Sequence, residues 1–408
     1  MPAVFRREME GEWRVILDYW MQKMPDPRNG GFYGQIDDQD RVEPAAPKGL
    51  VLNSRILWAF SAAGAKAGQK EDAARYLAIA HRAYDYLLEH FVDTAYGGVY
   101  WSVNHTGEML NGRKQVYGNA FYLYGLSEYY LATREQGVLD QAIGLFRLIE
   151  RYAYDGARGG YFEAYTRDWR PLPDQRLSTK DANEKKTANN HLHVIEAYAN
   201  LYRAWPDALL KERIGDLLDV FGRHIIDARS GHLALFFDEE WSPRSALVSY
   251  GHDIEAAWLL QQCAEIIGDE GRISATRTWA LKIACAAAEG LDADGGLWYE
   301  MDAGRLVREK HWWPQAEAMV GFLNAWQVSS DPVWLERSMG VWAFVKQYIR
   351  DRVRGEWFWG VGQDGRPMSG QDKAGFWKCP YHNSRACMEV SRRLSMQPDP
   401  ETNPIFEI

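Results

Sequence analysis

The sequence predicts an all-α fold, an (α/α)6 barrel in which six helical hairpins close into a ring, with short β-hairpins at one end. Three observations lead to this fold class: a turn that recurs six times, pairs of helical segments between the turns, and an alternation of amphipathic with more apolar helices. The 408 residues contain no Pro/Ser-rich linker and no change in composition. We therefore expect a single domain that spans residues 1–408.

The recurring turn is a tight turn followed by a short, mostly aromatic strand, which is typical of β-hairpins. One copy reads Tyr96-Gly97-Gly98-Val99-Tyr100-Trp101, and the six copies begin at positions 30, 97, 159, 230, 295 and 355. The intervals between them are 67, 62, 71, 65 and 60 residues. Open solenoids usually have shorter repeats, of roughly 20–50 residues, so this spacing favours a closed barrel.

Helical patterns, with apolar residues at i, i+3, i+4 and i+7, fill the intervals between the turns. One helix of each pair is amphipathic and the other is more apolar, which predicts an outer ring around a buried inner ring. The predicted pairs are 70–91 and 119–133, 136–154 and 191–205, 207–226 and 253–267, 272–290 and 314–328, and 331–350 and 384–394.

Composition and charge exclude several classes of function. The chain has 47 basic and 56 acidic residues and a net charge of −9, which argues against nucleic acid and anionic membrane surfaces as partners. The N-terminus has no signal-peptide core, and no apolar run approaches the ~18 residues of a membrane span. The cysteines form no CxxC pair, so neither a zinc knuckle nor a disulfide framework is indicated. We expect a reduced, cytoplasmic protein.

The longest polar interruption runs from residue 168 to residue 190. Loops of this length are more often functional than idle, so we interpret the segment as a lid or rim over the barrel mouth, with a solvated surface loop as the alternative.

Unusual polar residues lie near the predicted N-terminus of each inner helix. Asn119, His252 and Glu317 each follow their turn by 22 residues, and the other repeats place an arginine or a histidine somewhat later. In a closed barrel these six ends converge on one mouth. The predicted pocket is lined by Arg55, Asn119, Asn189, His191, His193, His252, Glu255, Trp312, Trp313, Glu317, Trp377 and His382.

Each of these residues also has a structural interpretation. Glu196, Glu255 and Glu317 all precede Ala on inner helices, so each can bond a neighbouring helix instead of a ligand. Arg55 can pair with an acidic neighbour, although an arginine on an apolar helix also suits a ligand rich in hydroxyl groups. The tryptophans can be packing residues or platforms for sugar rings, and the 18 Trp, 22 Tyr and 15 Phe of the chain agree with either.

The histidines are the strongest indication of chemistry. His252 and Glu255 lie three residues apart and so share one helix face, although a lone histidine there can also be a satisfied core residue. His191 and His193 are two apart, point in different directions and cannot easily share a metal ion. The chain has no motif for a nucleotide, for phosphate transfer or for a serine hydrolase. We expect neither a metal nor a cofactor.

Histidines without a metal or cofactor suit proton transfer, because an imidazole titrates near neutral pH. Two of them on opposite faces of a carbon next to a carbonyl can remove a hydrogen from one side and deliver it to the other, which is epimerisation. An aldose must first open its ring, and the enediolate that follows needs donors aimed at its oxygens. Arg55, Asn189 and His193 are chemically suitable donors.

Four stretches resemble the cellobiose 2-epimerases of the N-acylglucosamine 2-epimerase superfamily: KTANNHLHVIEAY from Lys186, SYGHDIEAAWLL, KHWWPQAEAMVGFL and KAGFWKCPYHNSRACMEV. The resemblance extends over nearly the whole chain. It implies an (α/α)6 barrel and a cytosolic enzyme without a cofactor. The implied reaction is reversible inversion at C2 of the reducing-end glucose of β-1,4-linked disaccharides such as cellobiose, mannobiose and lactose.

By this resemblance, the acid/base pair falls on His252 and His382, a histidine that assists ring opening on His193, and the enediolate contact on Arg55. The implied sugar-binding residues are Tyr117, Asp181, Asn189, Glu255, Trp313 and Trp377. The chain departs from the family pattern at Ala188, Asn190 and the 117–119 stretch, which bears on substrate size.

Three alternatives to a disaccharide epimerase stay open. They are a monosaccharide 2-epimerase or aldose–ketose isomerase of the same superfamily, a glycoside hydrolase, which needs a carboxylate pair, and a non-enzymatic sugar-binding protein. We expect the protein to be a monomer whose partner is a small-molecule sugar, either a disaccharide or a monosaccharide.

Overall fold

Twelve α-helices form two concentric rings in the computed structural model, which describes residues 2–396. The inner helices are buried almost throughout, and each packs against the next inner helix along the chain. They are α2 (Leu50–Lys66), α4 (Val116–Thr133), α6 (Ala188–Ala204), α8 (Tyr250–Ile267), α10 (Trp312–Ser329) and α12 (His382–Ser395).

The outer helices bury one stripe each and expose the rest, as their amphipathic sequences predict. They are α1 (Pro2–Lys23), α3 (Lys70–His90), α5 (Gln136–Tyr152), α7 (Ala208–Val220), α9 (Glu270–Ala287) and α11 (Pro332–Phe344). The N-terminal α1 packs along the C-terminal α12, so the two ends of the described chain close the ring. The predicted (α/α)6 barrel is confirmed. Within residues 2–396, no helix has the length and apolar character needed to cross a membrane.

The strands join neighbouring repeats rather than forming the predicted hairpin at every turn. The arms of each recurring turn meet in one antiparallel bridge, such as Val92 with Val99, and true hairpins form only farther along, in the second and fifth repeats. The strand before an inner helix pairs instead with the strand after the next turn, as Lys48–Gly49 does with Ser102–Val103. A bridge between Ile36 and Ala374 joins the last repeat to the first.

The twelve strands are therefore short links around one end of the barrel. They are β1 (Lys48–Gly49), β2 (Ser102–Val103), β3 (Met109–Asn111), β4 (Lys114–Gln115), β5 (Ala164–Tyr165), β6 (Lys186–Thr187), β7 (Phe236–Phe237), β8 (Val248–Ser249), β9 (Glu300–Asp302), β10 (Arg305–Val307), β11 (Lys310–His311) and β12 (Gly360–Val361).

A buried ion pair fastens most of the recurring turns. In the first repeat, Asp26 accepts hydrogen bonds from two backbone N–H groups of its turn, and its carboxylate pairs with Lys48 at 3.0 Å. Both side chains are at most 1% exposed. The same aspartate–lysine pair recurs in every repeat except the fourth, where Val248 takes the place of the lysine. Five of the six repeats therefore share this ion pair as well as the geometry of the turn.

The inner helices begin two or three residues before the predicted positions, for a physical reason. Except at α12, a strand enters each inner helix directly, so the polar residue expected near the N-terminus lies inside the first turn. There, Asn119 donates to the carbonyl of Gln115 and accepts from the N–H of Val99. Its side chain thereby ties the helix to the recurring turn.

Candidate active site

The six inner-helix N-termini surround a cavity of about 360 Å³ at the end of the barrel that carries the strands. All ten residues to which the sequence assigned a role in catalysis or sugar binding line this cavity. They are Arg55, Tyr117, Asp181, Asn189, His193, His252, Glu255, Trp313, Trp377 and His382. They come from the helices α2, α4, α6, α8, α10 and α12 and from two of the connecting segments, so only the closed ring brings them together.

Residues 175–182 of the long polar segment, together with Glu184, form part of the cavity wall, as expected of a rim. The segment is organised by its own side chains. Asp181 accepts a hydrogen bond from the backbone N–H of Ser178 at 2.7 Å, and Asn183 accepts one from that of Gln175 at 2.8 Å. The side chain of Gln115 donates to the carbonyl of Arg176 and ties the segment to the barrel.

Three histidines line the cavity, and each uses its Nδ1 to contact another side chain of the protein. Nδ1 of His382 lies 2.6 Å from the carboxylate of Glu317, and Nδ1 of His193 lies 3.0 Å from that of Glu196. Nδ1 of His252 lies 2.8 Å from the hydroxyl of Ser249. Among the described residues, Nε2 of these three rings has no hydrogen-bond partner. The available nitrogen of each imidazole is therefore Nε2.

Burial favours the neutral form of these imidazoles. It lowers the pKa of His252 to about 3 and that of His382 well below its ordinary value. Burial also lowers the pKa of His193, although the adjacent carboxylate of Glu196 opposes this shift. A neutral imidazole can accept a proton, so each ring is available as a base at neutral pH.

Arg385, on α12, joins three buried glutamates beneath the histidines. One guanidinium nitrogen bonds Glu196, and the other lies 2.8 Å from Glu255 and 2.7 Å from Glu317. Each of these glutamates precedes an alanine, and Glu255 and Glu317 are the sixth residues of α8 and α10, whereas Glu196 is the ninth residue of α6. Only Glu317, on α10, thereby bonds the neighbouring inner helix as the structural interpretation predicts, whereas Glu196 and Glu255 reach α12 across the ring. Glu255 also lines the cavity.

A carboxylate oxygen from each of Glu255 and Glu317 and a ring nitrogen of His382 lie within 4.8 Å of one another, a spacing also found at metal sites. Here the guanidinium of Arg385 bonds both carboxyl groups and already supplies positive charge at this point. We therefore assign the cluster as an ion-pair network. The absence of a catalytic metal stays a prediction from the sequence.

Arg55 is held by aromatic groups rather than by an acidic neighbour. Its guanidinium donates to the hydroxyl of Tyr117 at 2.8 Å and lies over the rings of Phe121 and Tyr381. The side chain is 3% exposed and forms no ion pair within the described residues. A buried guanidinium without a carboxylate partner is suited to hold a negatively charged oxygen of a ligand.

Two half-buried tryptophans form aromatic walls. The ring of Trp313 lies 4.8 Å from that of His252 and 5.7 Å from that of His382, measured between centroids, so it packs against both histidines. Trp377, in the segment that precedes α12, packs against the rings of Tyr117 and Trp101. Partly exposed aromatic faces beside polar groups are suited to a sugar, whose ring has apolar faces between its hydroxyl groups.

Three residues that the sequence placed in the pocket, Asn119, His191 and Glu317, lie outside it. Asn119 and His191 bond the recurring turns, and neither lines the cavity. Nδ1 of His191 donates to the carbonyl of Thr187, and its Nε2 accepts from the N–H of Tyr161 at 2.8 Å. Both ring nitrogens are thus occupied by backbone groups. Glu317 does not line the cavity either, but its carboxylate contacts Nδ1 of His382, which does.

Sequence reasoning missed several residues of the site. Arg385 could have been found, because the tripeptide Asn-Ser-Arg occurs at the start of both α2 and α12 and places Arg55 and Arg385 at related positions. Tyr299, which follows the fifth recurring turn, stacks on His311 at 3.9 Å. The remaining cavity residues carry no sequence signal that we recognise, and they include Glu163, Glu300, Leu247 and Trp359.

Comparison with known proteins gives consistent matches over nearly the whole chain. Residues 31–386 match the family model described as N-acylglucosamine 2-epimerase (GlcNAc 2-epimerase). The cellobiose 2-epimerase of Bacteroides fragilis is 47% identical over 393 residues, which cover 96% of this chain and 99% of that protein.

Two solved structures are similar in both fold and sequence. The cellobiose 2-epimerase from Bacillus thermoamylovorans has a TM-score of 0.89 and 40% identity, covering 96% of this chain and 99% of that chain. The cellobiose 2-epimerase from Spirochaeta thermophila has a TM-score of 0.90 and 38% identity, with 97% of each chain covered.

Proposed function

The chain belongs to the N-acylglucosamine 2-epimerase family, and from this premise we propose that it is a sugar 2-epimerase that acts on β-1,4-linked disaccharides. It would invert C2 of the reducing-end glucose or mannose unit of cellobiose, mannobiose or lactose. The observation that carries the proposal is the placement of His252 and His382 on one cavity, with both rings packed against Trp313. The relatives named cellobiose 2-epimerase support the choice of a disaccharide.

The proposed reaction is a proton transfer at C2 on two faces. With the sugar ring open, the C1 aldehyde acidifies the C2 hydrogen, and the imidazole on one face takes that proton through Nε2. The electron pair of the broken C–H bond enters the cis-enediolate. The imidazole on the other face, which has taken up a proton from solvent on Nε2, delivers that proton to C2 and becomes neutral, so the C–H bond forms with inverted configuration and the aldehyde returns. His252 and His382 would exchange these roles in the reverse direction.

His193 and Arg55 would serve the steps around proton transfer. His193 is anchored by Glu196 and is 3% exposed, which suits a group that moves the hydroxyl proton at C1 during ring opening. Arg55 has no acidic partner in the described chain, so its charge is free to stabilise the enediolate oxygens. A fixed cation in a site shielded from water stabilises developing charge more than it would in bulk solvent.

The remaining cavity residues would hold the two sugar rings. Trp313 and Trp377 would stack on apolar ring faces, and Tyr117, Asn189 and Glu255 would bond hydroxyl groups. Asp181, on the rim formed by residues 175–182, would contact the second sugar unit. The cavity volume of about 360 Å³ lies within the range of sites for small molecules.

Incubation of the full chain with cellobiose in heavy water tests this function. We expect a disaccharide with mannose at its reducing end and deuterium at C2 of that unit, because the histidine exchanges its proton with solvent. Faster conversion of mannose than of cellobiose would favour a monosaccharide epimerase instead, and a ketose product would favour an isomerase. Free glucose would indicate a glycoside hydrolase. If neither sugar is converted, the result would favour a non-enzymatic sugar-binding protein.

The other expectations from the sequence belong to the same proposal. We propose a single catalytic domain, a cytoplasmic location, a monomeric state and a reaction that needs no cofactor. The predicted domain extends to residue 408, and residues 397–408 lie outside the described part of the chain.

A further inference from the structure

The charges buried beneath the cavity do not balance if every carboxyl group is ionised. Glu196, Glu255 and Glu317 are each at most 5% exposed, and the buried cations beside them are Arg385 and Arg55. The guanidinium groups of both arginines lie over the ring of Tyr381, at 4.1 and 4.6 Å from its centroid. With three carboxylates and two guanidinium groups, the cluster would keep one uncompensated negative charge, which is costly in a buried site.

The three glutamates differ in how many donors they have. Glu196 accepts from Arg385, from the hydroxyl of Tyr381 and from Nδ1 of His193. Glu317 accepts from Arg385, from Nε1 of Trp258 at 3.0 Å and from Nδ1 of His382.

Glu255 differs from the other two. Its Oε1 accepts from Arg385, and its Oε2 forms no hydrogen bond within the described residues. Glu255 is also the only one of the three that lines the cavity. Because hydrogen bonds to the charged form favour ionisation, Glu255 is the carboxyl group of this cluster on which a proton costs least.

We propose that Glu255 is a neutral carboxylic acid in the resting enzyme and that its Oε2–H donates a hydrogen bond to a sugar oxygen at the reacting end. This rests on the proposed epimerase function, in which that oxygen gains negative charge when the C2 proton leaves. The proton stays on Glu255 throughout, and no covalent bond to it forms or breaks. Its Oε1 lies 3.8 Å from Nδ1 of His382, which places the acid beside one of the two groups that move protons.

The titration of Glu255 agrees with this assignment. Burial, reinforced by the neighbouring charge of Glu317, raises the pKa of Glu255 well above its ordinary value, although Arg385 opposes the shift. Burial raises the pKa of Glu317 as well, but Arg385 and the hydrogen bond from Trp258 oppose that shift. With its larger number of donors, Glu317 is assigned as the carboxylate that holds His382. The other titratable or charged groups near Glu255 are Glu196 on α6, Tyr117 on α4, and Tyr381, His382 and Arg385 at the start of α12. His252, His193 and Arg55 line the same cavity.

A neutral acid and a carboxylate are distinguished by substitution with an amide. In Glu255→Gln the amide N–H replaces the acid O–H as donor, and the amide oxygen still accepts from Arg385. We expect kcat for cellobiose epimerisation to stay within about 10-fold of the wild type, whereas Glu255→Ala, which has no donor, loses about 10²-fold or more. Equal losses in both variants would overturn the proposal.

The pH profile provides a readout that a merely structural role would not change. In the wild type, the donor is present below the raised pKa of Glu255 and is lost as the pH rises through it, so kcat falls on the alkaline side. An amide does not titrate, and we expect this alkaline limb to be absent from the profile of Glu255→Gln. An unchanged limb in that variant would contradict the assignment.

Infrared spectroscopy of the full chain without substrate tests the protonation state separately from activity. Burial raises the pKa of Glu163 well above its ordinary value too, so the test is the difference spectrum between the wild type and each variant. We expect Glu255→Gln to lose a carboxylic acid C=O band at neutral pH that Glu163→Gln retains. Glu163 is a matched control, because it is another buried glutamate of the cavity wall, bonded to the N–H of Thr187 instead of to Arg385.

The two failures are distinguishable. A chain that shows this band but does not convert cellobiose would disprove the function and leave the neutral acid in place. A chain that converts cellobiose without the band would disprove the neutral acid alone.

Discussion

Nδ1 of His382 lies 2.6 Å from Oε1 of Glu317, on the neighbouring inner helix α10. A carboxylate at this nitrogen fixes the ring orientation, favours the tautomer with the proton on Nδ1 and stabilises the imidazolium that forms when Nε2 takes a proton. His252 has a serine hydroxyl in the same position, which orients the ring but carries no charge. The two histidines proposed to move the C2 proton therefore have electrostatically different supports.

This difference predicts unequal effects of removing the two supports. Glu317→Gln is expected to lower kcat by about 10²–10⁴-fold with little change in KM, because it removes the charge that stabilises a protonated His382. Ser249→Ala is expected to lower kcat by less than about 10-fold. Steady-state kinetics on cellobiose measures both effects, with circular dichroism as the control for folding. Similar losses in the two variants would contradict the difference between the supports.

Removing one histidine is expected to abolish inversion while leaving proton exchange on one face. His252→Ala and His382→Ala should each lower kcat by at least ~10²–10⁴-fold. In heavy water, each variant should still incorporate deuterium at C2 of one epimer without inverting it, because the remaining imidazole reaches only its own face. Nuclear magnetic resonance spectra of both sugars measure this exchange. If the two variants label the same epimer, the two-face mechanism is wrong.

The depressed histidine pKa values predict how activity depends on pH. Burial lowers the pKa of His252 to about 3, so its base form persists as the pH falls from 7 through the ordinary histidine range near 6.5. We expect kcat/KM, which reports the free enzyme, to stay constant across that range and to decrease only at lower pH. A decrease centred near pH 6.5 would show that an imidazole with an ordinary pKa controls the reaction.

Trp313 is expected to affect both binding and turnover, because its ring packs against the two histidines and faces the cavity. Trp313→Ala should raise KM for cellobiose by about 10-fold, equivalent to ~1.4 kcal/mol, and should also lower kcat by loosening both imidazoles. Trp313→Phe retains an aromatic face and should recover part of each loss. Normal values of KM and kcat in both variants would show that Trp313 contributes to neither sugar binding nor turnover.

The buried aspartate–lysine pairs predict a large stability effect away from the cavity. Lys48→Met leaves Asp26 buried without its cation and should lower the free energy of unfolding by about 3–5 kcal/mol, as measured by urea denaturation. Arg41→Met breaks the exposed pair with Asp37 and is the matched control, with an expected loss below ~1 kcal/mol. A loss of similar size in both variants would contradict this difference.

The same pair has a defined pH dependence. Burial opposes ionisation of Asp26, but hydrogen bonds from two backbone N–H groups and from Lys48 outweigh it and lower the pKa to about 2. Since the folded pKa is depressed, the stabilisation is present at neutral pH and is lost as the pH falls towards 2. Denaturation curves of the wild type and Lys48→Met should therefore converge in acid.

The site was predictable to the extent that each residue has a distinctive local context. His252 in a segment of Gly, Ile and Ala stood out because a polar side chain at the start of an apolar helix is expensive without a partner. Asn119 and His191 have the same local signature, and the prediction for them was wrong, because each bonds a backbone N–H group of its recurring turn, 20 and 30 residues earlier in the chain. Local sequence does not distinguish these two kinds of partner.

The sequence by itself determined the periodic features, because a turn signal and an apolar stripe are local properties of the chain. The six turns, the two rings of helices and the register that brings His252 and His382 to one mouth all follow from spacing. The tertiary structure decided the partners across the ring. It alone joins Glu196, Glu255 and Glu317 to Arg385, and pairs Lys48 with Asp26. The bonds to Arg385 depend on ring closure, which brings Glu196 to a residue 189 positions away, whereas Lys48 and Asp26 lie 22 positions apart within one repeat.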